Sequence, residues 1–373
     1  MSRGLRVFMT ADAVGGVWTY SLELARALQP HGVEIVLATM GPRPSAAQRN
    51  EVAALGNVQL FEGDFALEWM DEPWADVDAA GDWLLAHAAR VQPDVIHLNG
   101  YAHATLPWEA PVLVAAHSCV LSWWRAVKRE APPPRYAEYQ RRIEAGLQAA
   151  DLILAPTAAM LAGLDEHYRA FTPRKVIPNC RDGTLFAPSA KQPFIFSAGR
   201  LWDEAKNIAL LGTIAPDLTW PIRIAGPQTG TGSQPVSGSA GCESARCSHL
   251  GTLPPAILAR HLSAAAVYAA PARYEPFGLG ILEAALSGCA LVLGDIPSLR
   301  ELWSDAALFA PPDDPVAWTT TLHQLASDDP LRDDLARRAR ERALQFTPAT
   351  TAAAYLEAYA ALAQQPAREE LAA

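Results

Sequence analysis

Two glutamates frame a short loop in the segment ARYEPFGLGILEAALSG, residues 272–288. Glu275 and Glu283 stand eight positions apart on either side of a Pro-Phe-Gly-Leu-Gly turn. Two carboxylates near the start of one helix can accept hydrogen bonds from several hydroxyl groups, which suits a sugar or a ribose. The alternative is that Glu283 is a helix-start charge favoured by the helix dipole and that Glu275 is a surface residue.

The residues around this turn predict how the chain positions the two carboxylates. The preceding run AVYAAP is typical of a buried strand, and Pro276 cannot continue a sheet ladder. Gly278 and Gly280 expose backbone amide groups, and the run ILEAAL consists of good helix formers. We therefore expect a strand, a sharp loop that carries Glu275, and a helix with Glu283 about one turn inside it.

Two cations follow another predicted strand, in AGRLWDEAKNI, residues 198–208. Arg200 and Lys206 lie six positions apart in a loop that leads into a helix, so both side chains could converge on one diphosphate. The alternative is that both residues are solvated surface charges, and without other evidence the spacing of the two residues favours that alternative.

A third strand-to-helix junction is ADAVGGVWTYSLELARAL, residues 11–28. Gly15 and Gly16 allow a tight turn, and the helix that follows offers free amide groups and a positive dipole end to an anion. The segment is not a G-x-G-x-x-G fingerprint, which disfavours a dehydrogenase. An ordinary turn between a strand and a helix is an open alternative.

Histidines end two further apolar runs, VLVAAH with His117 and DVIHLN with His97 and Asn99. A histidine at such a place can act on a substrate, or it can be a core or capping residue. The residues alone leave both interpretations open.

Short apolar runs alternate with amphipathic stretches along the whole chain, which indicates parallel sheets covered on both faces. Five runs precede and five follow the proline-rich join at residues 172–193, so we predict two doubly wound α/β domains. Ligands bind such sheets beyond the carboxyl ends of the strands. Two domains of this kind would build a cleft between them.

Composition limits the class of protein. The chain has 373 residues, of which 50% are hydrophobic, and a formal charge of -10. This length favours two globular domains, and the acidic balance argues against general nucleic-acid binding because phosphates would be repelled. Five scattered cysteines, including Cys242 and Cys247, are expected to be ordinary thiols of a reducing compartment. With no signal sequence and no long apolar run, we expect a cytoplasmic protein.

Five segments together resemble a retaining glycosyltransferase of family 4, which has the GT-B fold. They are GGV near the N-terminus, VIPNC, AGRLWDEAKN, EPFGLGILE and GDIPSLREL. The resemblance covers nearly the whole chain and implies two Rossmann-like domains that face a central cleft. It implies an acceptor-binding domain over residues 1–175, a donor-binding domain over residues 176–345, and a helix in residues 346–373 that crosses back to the first domain.

The resemblance also implies roles for the residues singled out above. Glu275 would bind hydroxyl groups of the donor sugar, Glu283 would hold the ribose, and two cations would neutralise the diphosphate leaving group. Fixed cations make a metal unnecessary, so no cofactor is expected and transfer would proceed with retention by front-face attack. The implied catalytic residues are Glu275, His117, Arg200 and Lys206. The implied donor- and nucleotide-binding residues are Gly15, Gly16, Arg200, Lys206, Leu253, Glu275, Gly278, Leu279 and Glu283. The acceptor contacts would be Asp12, His97, Asn99, Trp123 and Trp124.

The sequence departs from the family at two places. Cys180 stands in VIPNCRD where the family usually has glycine, and residues 226–253 form a Gly/Ser-rich tract in place of a charged helix. Because Leu253 would approach the base, the nucleotide is the least specified part: a UDP-sugar is favoured and a GDP-sugar is the alternative. A nucleotide-sugar epimerase, a phosphorylase, or an inactive sugar-nucleotide-binding protein would be rival functions on a similar fold.

Charge is unevenly distributed in the first half of the chain. Residues 121–145 contain six Arg or Lys and three Glu, whereas residues 62–89 contain eight Asp or Glu and no Arg or Lys. We therefore expect an electrostatically two-faced domain. Trp123 and Trp124 could line a pocket for a small-molecule or saccharide acceptor, or dock on anionic lipid beside a lipid-linked acceptor. The pocket is favoured because the basic segment is too short for a membrane-surface helix.

Overall fold

A computed structural model describes residues 4–229 and 246–364. The described chain forms two compact units, each built around one parallel sheet. The first unit consists of residues 1–124, 130–180 and 348–373, and the second of residues 125–129 and 181–347. The units therefore divide at Cys180 and again at Pro348, a few residues beyond the predicted boundaries at 175 and 345.

All strands of the described chain are short, and most are apolar and buried. The strands are β1 (Arg6–Asp12), β2 (Glu34–Met40), β3 (Val58–Glu62), β4 (Val95–Leu98), β5 (Val112–Ala115), β6 (Leu152–Ala155), β7 (Arg174–Val176), β8 (Gln192–Ala198), β9 (Ile222–Ala225), β10 (Cys247–His249), β11 (Ala265–Ala270), β12 (Ala290–Gly294) and β13 (Ala307–Ala310).

Helices connect the strands on both faces of each sheet. They are α1 (Gly16–Leu28), α2 (Ala46–Ala53), α3 (Trp74–Val91), α4 (Val120–Lys128), α5 (Ala137–Ala149), α6 (Ala158–Asp165), α7 (Ala209–Ile214), α8 (Pro255–Ala264), α9 (Leu279–Leu286), α10 (Pro297–Trp303), α11 (Pro315–Ser327), α12 (Asp329–Ala343) and α13 (Pro348–Ala363). In residues 4–229 and 246–364, no helix has the length and apolarity needed to cross a membrane.

Both sheets have the doubly wound order. The first sheet runs β3-β2-β1-β4-β5-β6-β7 and the second runs β10-β9-β8-β11-β12-β13, with every pairing parallel. The winding therefore reverses between β1 and β4 in one unit and between β8 and β11 in the other. Loops diverge at such a switch point and leave a crevice beyond the carboxyl ends of the strands. The prediction of two doubly wound α/β domains is confirmed.

The last helix belongs to the first unit. Helix α13 begins at Pro348, whose fixed backbone angle suits a first helical position, and it packs against α1. Tyr355, Tyr359 and Leu362 from α13 are buried in the same hydrophobic cluster as Trp18 of α1. The apolar stripe of α13 is thus part of the core of this unit.

The cysteines differ partly from expectation. Cys119, Cys180 and Cys289 are buried free thiols. Cys247 is disulfide-bonded, so its interpretation as an ordinary thiol is wrong. Cys242 and most of the Gly/Ser-rich tract lie outside the described residues.

Candidate active site

The second unit brings together one predicted cation and one predicted carboxylate at its switch point. Lys206 lies in the loop after β8 and Glu275 in the loop after β11. Lys206 Nζ is 2.6 Å from Glu275 Oε2, and the two side chains are 23% and 17% exposed. The pair is therefore half-buried, so its charges are less screened than those of a surface ion pair.

Backbone contacts fix the loop that carries Glu275. The Arg273 amide donates to the Ala205 carbonyl at 2.8 Å, which ties this loop to the loop that carries Lys206. The Ser298 hydroxyl, on α10, donates to the Glu275 carbonyl at 2.6 Å. Contacts from both sides thus define the position of the carboxylate before any ligand is bound.

Gly278 allows the chain to turn sharply from this loop into α9. Its φ is +89°, and a Cβ there would lie 2.7 Å from Ile281 Cδ1. Helix α9 begins at Leu279, so its first amide groups have no partner within the helix. As the sequence predicts, the turn points the positive end of a helix toward the crevice.

Arg200 is held by its neighbours in the loop after β8. Arg200 Nη2 is 2.7 Å from Asp203 Oδ2, and its guanidinium lies 5.3 Å from the centre of the Trp202 ring. The buried Asp203 also accepts a hydrogen bond from the Ala205 amide at 3.0 Å. Arg200 Nε is buried and has no hydrogen-bond partner among the described residues. An unsatisfied buried donor is costly, and an anionic ligand would satisfy it.

Glu283 lies inside α9, as predicted, but with a partner that the sequence analysis missed. Its carboxylate Oε1 is 2.8 Å from Nε of Arg181, and both side chains are nearly buried. Arg181 follows Cys180 in the segment VIPNCRD. No local pattern connects Arg181 with a carboxylate that is 102 positions away.

The first unit brings Asp12, Gly15 and Gly16 to its own switch point. Asp12 ends β1, and its Oδ1 accepts a hydrogen bond from the Val14 amide at 2.7 Å. Gly15 has a φ of +91°, which a residue with a Cβ rarely adopts, and α1 begins at Gly16. The predicted turn is present, with the start of α1 at the carboxyl edge of the sheet.

Asn99 and His117 meet at the same switch point. Asn99 Nδ2 donates to the Thr10 carbonyl at 2.6 Å, which fixes the orientation of the amide because a carbonyl can only accept. Asn99 Oδ1 must then be the acceptor for His117 Nε2, 2.8 Å away, so Nε2 carries the proton. Burial lowers the pKa of His117 to about 4. The ring is therefore neutral at pH 7, with Nδ1 as a hydrogen-bond acceptor.

His97 has no exposed surface with which to contact an acceptor. It is fully buried, and its Nδ1 and Nε2 lie 2.7 Å from the Tyr359 hydroxyl and 3.2 Å from the Tyr20 hydroxyl. Burial, and secondarily the charge of His117, lowers the pKa of His97 to about 3. Of the two interpretations left open by the sequence, the structural one describes His97.

The remaining predicted residues are Leu253, Trp123 and Trp124. Leu253 lies between β10 and α8 and is partly buried against the core of the second unit. The Trp123 and Trp124 rings are 6.1 Å apart, and Trp124 packs against Tyr136 at 5.4 Å. A nearby pocket is lined by other residues, namely Glu68, Met70, Asp71, Glu72, Pro73, Trp74, Arg135, Tyr136 and Tyr139.

The acidic and basic segments of the first unit are in contact with each other. Arg142 forms an ion pair with Asp78 and a second one with Glu138 at 2.7 Å, and its guanidinium lies 4.8 Å from the centre of the Trp74 ring. The acidic and basic segments therefore meet where Arg142 of α5 pairs with Asp78 of α3, and they do not lie on wholly separate faces.

Comparisons with known proteins agree with this architecture. Residues 14–183 match the family model Glycosyltransferase Family 4, and residues 186–342 match Glycosyl transferases group 1. The D-inositol 3-phosphate glycosyltransferase of Corynebacterium diphtheriae is 27% identical over 378 residues, covering 91% of this chain and 88% of the relative.

Solved structures show the same fold. Sucrose-phosphate synthase from Thermosynechococcus elongatus superposes with a TM-score of 0.79 at 18% identity, covering 96% of this chain and 99% of that one. Anabaena HepE, solved with UDP and glucose, gives a TM-score of 0.76 at 16% identity, covering 96% of this chain and 100% of that one.

The two doubly wound domains and the matching family models define a glycosyltransferase with the GT-B fold. The chain belongs to glycosyltransferase family 4. The prediction of the family and of glycosyltransferase activity is confirmed.

Proposed function

We propose that this glycosyltransferase moves a hexosyl group from a nucleotide-diphosphate sugar, with a UDP-sugar favoured, to a hydroxyl acceptor with retention and without a metal ion. One observation carries the proposal: Lys206 and Glu275 form a half-buried pair at the β8/β11 switch point, 2.6 Å apart. A cation for a phosphate and a carboxylate for sugar hydroxyls thus stand side by side, where doubly wound sheets bind ligands.

The cations are suited to a diphosphate leaving group. Cleavage of the bond between the sugar carbon and the phosphate oxygen develops negative charge on the phosphate and positive charge on the ring. Lys206 and Arg200 supply fixed positive charge, and the buried Nε of Arg200 still lacks a hydrogen-bond partner among the described residues. Amide groups at the start of α9 add a further positive potential. These groups would do the work that a metal ion does in other transferases.

Glu275 would change partners when the donor binds. In the ligand-free protein its carboxylate neutralises Lys206. A bound diphosphate competes for Lys206, which leaves Glu275 free to accept hydrogen bonds from hydroxyl groups of the sugar. The carboxylate then favours the positive charge that develops on the ring.

The anomeric configuration of the sugar is retained if the acceptor attacks the sugar carbon on the same face from which the leaving group departs. The acceptor oxygen forms the new bond to the sugar carbon, the bond to the phosphate oxygen breaks, and the acceptor proton passes to that phosphate oxygen. His117 would accept a hydrogen bond at Nδ1 from a sugar or acceptor hydroxyl, because its ring is neutral and Nε2 donates to Asn99. No glutamate is required as a covalent nucleophile.

The preference for a UDP-sugar and for a polyol or saccharide acceptor is supported by similarity. HepE binds UDP and glucose, and the corynebacterial relative is named for D-inositol 3-phosphate. Both are similar to this chain across nearly its whole length.

The test is a transfer assay with UDP- and GDP-sugars against a panel of polyol, sugar-phosphate and saccharide acceptors, with and without a chelator. We expect a new glycoside of the donor's anomeric configuration, formed with chelator present. An epimerised donor, phosphate-dependent cleavage, or nucleotide binding with no turnover would each reject the proposal in favour of a named rival, and release of free sugar with every acceptor would reject transfer. Restoration of a chelator-sensitive activity by magnesium would reject the metal-free mechanism.

A further inference from the structure

Arg181 and Glu283 form a nearly buried ion pair beside the predicted nucleotide site. Arg181 Nε is 2.8 Å from Glu283 Oε1, and the side chains are 13% and 11% exposed. The guanidinium also lies 5.1 Å from the centre of the buried Phe186 ring. Arg181 is thus held between a carboxylate and an aromatic face.

The surroundings of Glu283 explain why a partner is needed. Its neighbours on α9 are apolar and fully buried: Ile281, Leu282, Ala284, Ala285 and Leu286. A carboxylate in such surroundings keeps its charge only with a counter-charge or several hydrogen bonds. Arg181 provides that counter-charge from a segment distant in sequence.

We propose that Arg181 is a positioning residue of the nucleotide site, which keeps the Glu283 carboxylate ionised and oriented toward the ribose hydroxyl groups. This inference rests on the proposed function, in which Glu283 holds the ribose. An ionised carboxylate offers about four lone-pair positions, so it can accept hydrogen bonds from a guanidinium and from ribose hydroxyls together. The planar guanidinium, stacked on Phe186, restricts the carboxylate more than a flexible ammonium group would.

The inference has a consequence for nucleotide selectivity. A site that binds a ribose hydroxyl through an oriented carboxylate discriminates against a nucleotide that lacks that hydroxyl, since the carboxylate loses a hydrogen bond. Loss of Arg181 should therefore weaken UDP binding more than 2′-deoxy-UDP binding. A purely structural role would weaken both equally.

The experiment measures the dissociation constants of UDP and 2′-deoxy-UDP by calorimetry. The variants are Arg181→Met, Glu283→Gln and the double variant. Methionine keeps an unbranched stem against Phe186 while removing the charge. Arg332→Met is the matched control, because Arg332 is also nearly buried, at 14% exposure, and lies 5.1 Å from an aromatic ring centre, that of Trp220.

We expect Arg181→Met to weaken UDP binding about tenfold and to lower the ratio of 2′-deoxy-UDP to UDP dissociation constants toward the ratio in Glu283→Gln. The double variant should bind UDP no more weakly than Glu283→Gln, because the two residues act as a unit. The KM for the donor should rise much more than kcat falls. Arg332→Met should bind both nucleotides as the wild-type protein does.

Two outcomes distinguish the role of Arg181 from the ribose contact of Glu283. Wild-type affinity and selectivity in Arg181→Met, or additive losses in the double variant, would overturn the role of Arg181 alone. Wild-type selectivity in Glu283→Gln would instead overturn the ribose contact in the proposed function. If Arg181→Met does not fold, Arg181→Lys keeps the charge and should show a smaller loss in the same direction, and unchanged selectivity there would reject the inference.

Discussion

Lys206 and Glu275 neutralise one another in the ligand-free protein, with Lys206 Nζ 2.6 Å from Glu275 Oε2. The two residues come from loops that follow different strands, and they meet because β8 and β11 are neighbours at the switch point of the second sheet. In the proposed function, a ligand that carries both phosphate and hydroxyl groups would separate this ion pair.

The first prediction concerns Glu275. Glu275→Gln removes the charge that would stabilise the developing positive ring, so transfer should fall by about 100-fold or more. The affinity for UDP should not fall, because UDP has no transferred sugar to contact residue 275 and its diphosphate no longer competes with a carboxylate for Lys206. Initial rates and calorimetry measure the two effects. Glu341→Gln is the control, since Glu341 is ion-paired with Arg337 at 2.9 Å on the exposed face of α12. Equal losses of transfer and UDP affinity would contradict the assigned role.

The second prediction concerns the two cations. Arg200→Ala and Lys206→Ala should each lower kcat by about 100-fold, because each removes a cation that would neutralise the negative charge developing on the leaving diphosphate. Activity of the wild-type protein should survive a chelator. Arg337→Ala is a matched control: Arg337 pairs with Asp334 three positions away, as Arg200 pairs with Asp203, but on the exposed surface of α12. A variant of either cation with wild-type kcat would remove that residue from the mechanism.

The third prediction concerns pH. The pKa of His117 is lowered to about 4 and that of His97 to about 3, from an ordinary value of 6.5. Below pH 6.5 the unfolded chain binds protons that the folded protein does not, so the free energy of unfolding should fall as pH decreases toward 4. Each histidine contributes about 1.4 kcal/mol per pH unit in that range. Urea unfolding between pH 7 and pH 4 measures the slope.

Substitution separates the contribution of one histidine from that of the rest of the protein. His117→Gln should make the pH dependence shallower, because glutamine does not titrate. A slope in His117→Gln equal to that of the wild-type protein would show that His117 is not kept neutral by burial.

The fourth prediction concerns α13. Tyr359 and Tyr355 bond to His97 and to Tyr20, respectively, and bury their rings in the core of the first unit. Truncation before residue 346 removes this helix and should give unstable or insoluble protein. Tyr359→Phe leaves His97 Nδ1 without this partner and should cost about 1 to 3 kcal/mol. Tyr136→Phe is the control, because the Tyr136 hydroxyl contacts the exposed Arg135 at 3.4 Å. A fully active, stable truncation would contradict the role of α13.

Local sequence patterns predicted the elements and their ends well. Apolar runs marked the strands, and Gly278 marked the turn. The structure explains why glycine is needed there: the φ of Gly278 is +89°, and a Cβ would collide with Ile281. Since parallel strands present their carboxyl ends at one edge, the loops that carry Lys206 and Glu275 were expected at the same edge of a sheet, but the ion pair between them was not predicted.

Long-range partners could not be predicted in the same way. The pairing of Arg181 with Glu283, and of His97 with Tyr359 across 262 positions, depends on tertiary packing that leaves no periodic trace in the sequence. The same limit explains the error about charge: segments rich in opposite charges were expected on separate faces, but Arg142 and Asp78 bring them into contact. Opposite charges attract within one domain, and composition alone does not show which groups are adjacent.

The last prediction concerns membranes. The basic segment after Trp124 is already engaged with carboxylates: Lys128 Nζ is 2.7 Å from Glu204, and Arg129 forms an ion pair with Asp313. Cations that are neutralised in this way contribute less than the roughly 1 kcal/mol that a free Lys or Arg gains at an anionic surface. We therefore expect little binding to phosphatidylserine vesicles in flotation at physiological salt, and no difference from phosphatidylcholine vesicles. Strong binding that is lost on substitution of Arg125, Lys128 and Arg129 would reverse this expectation and favour a lipid-linked acceptor.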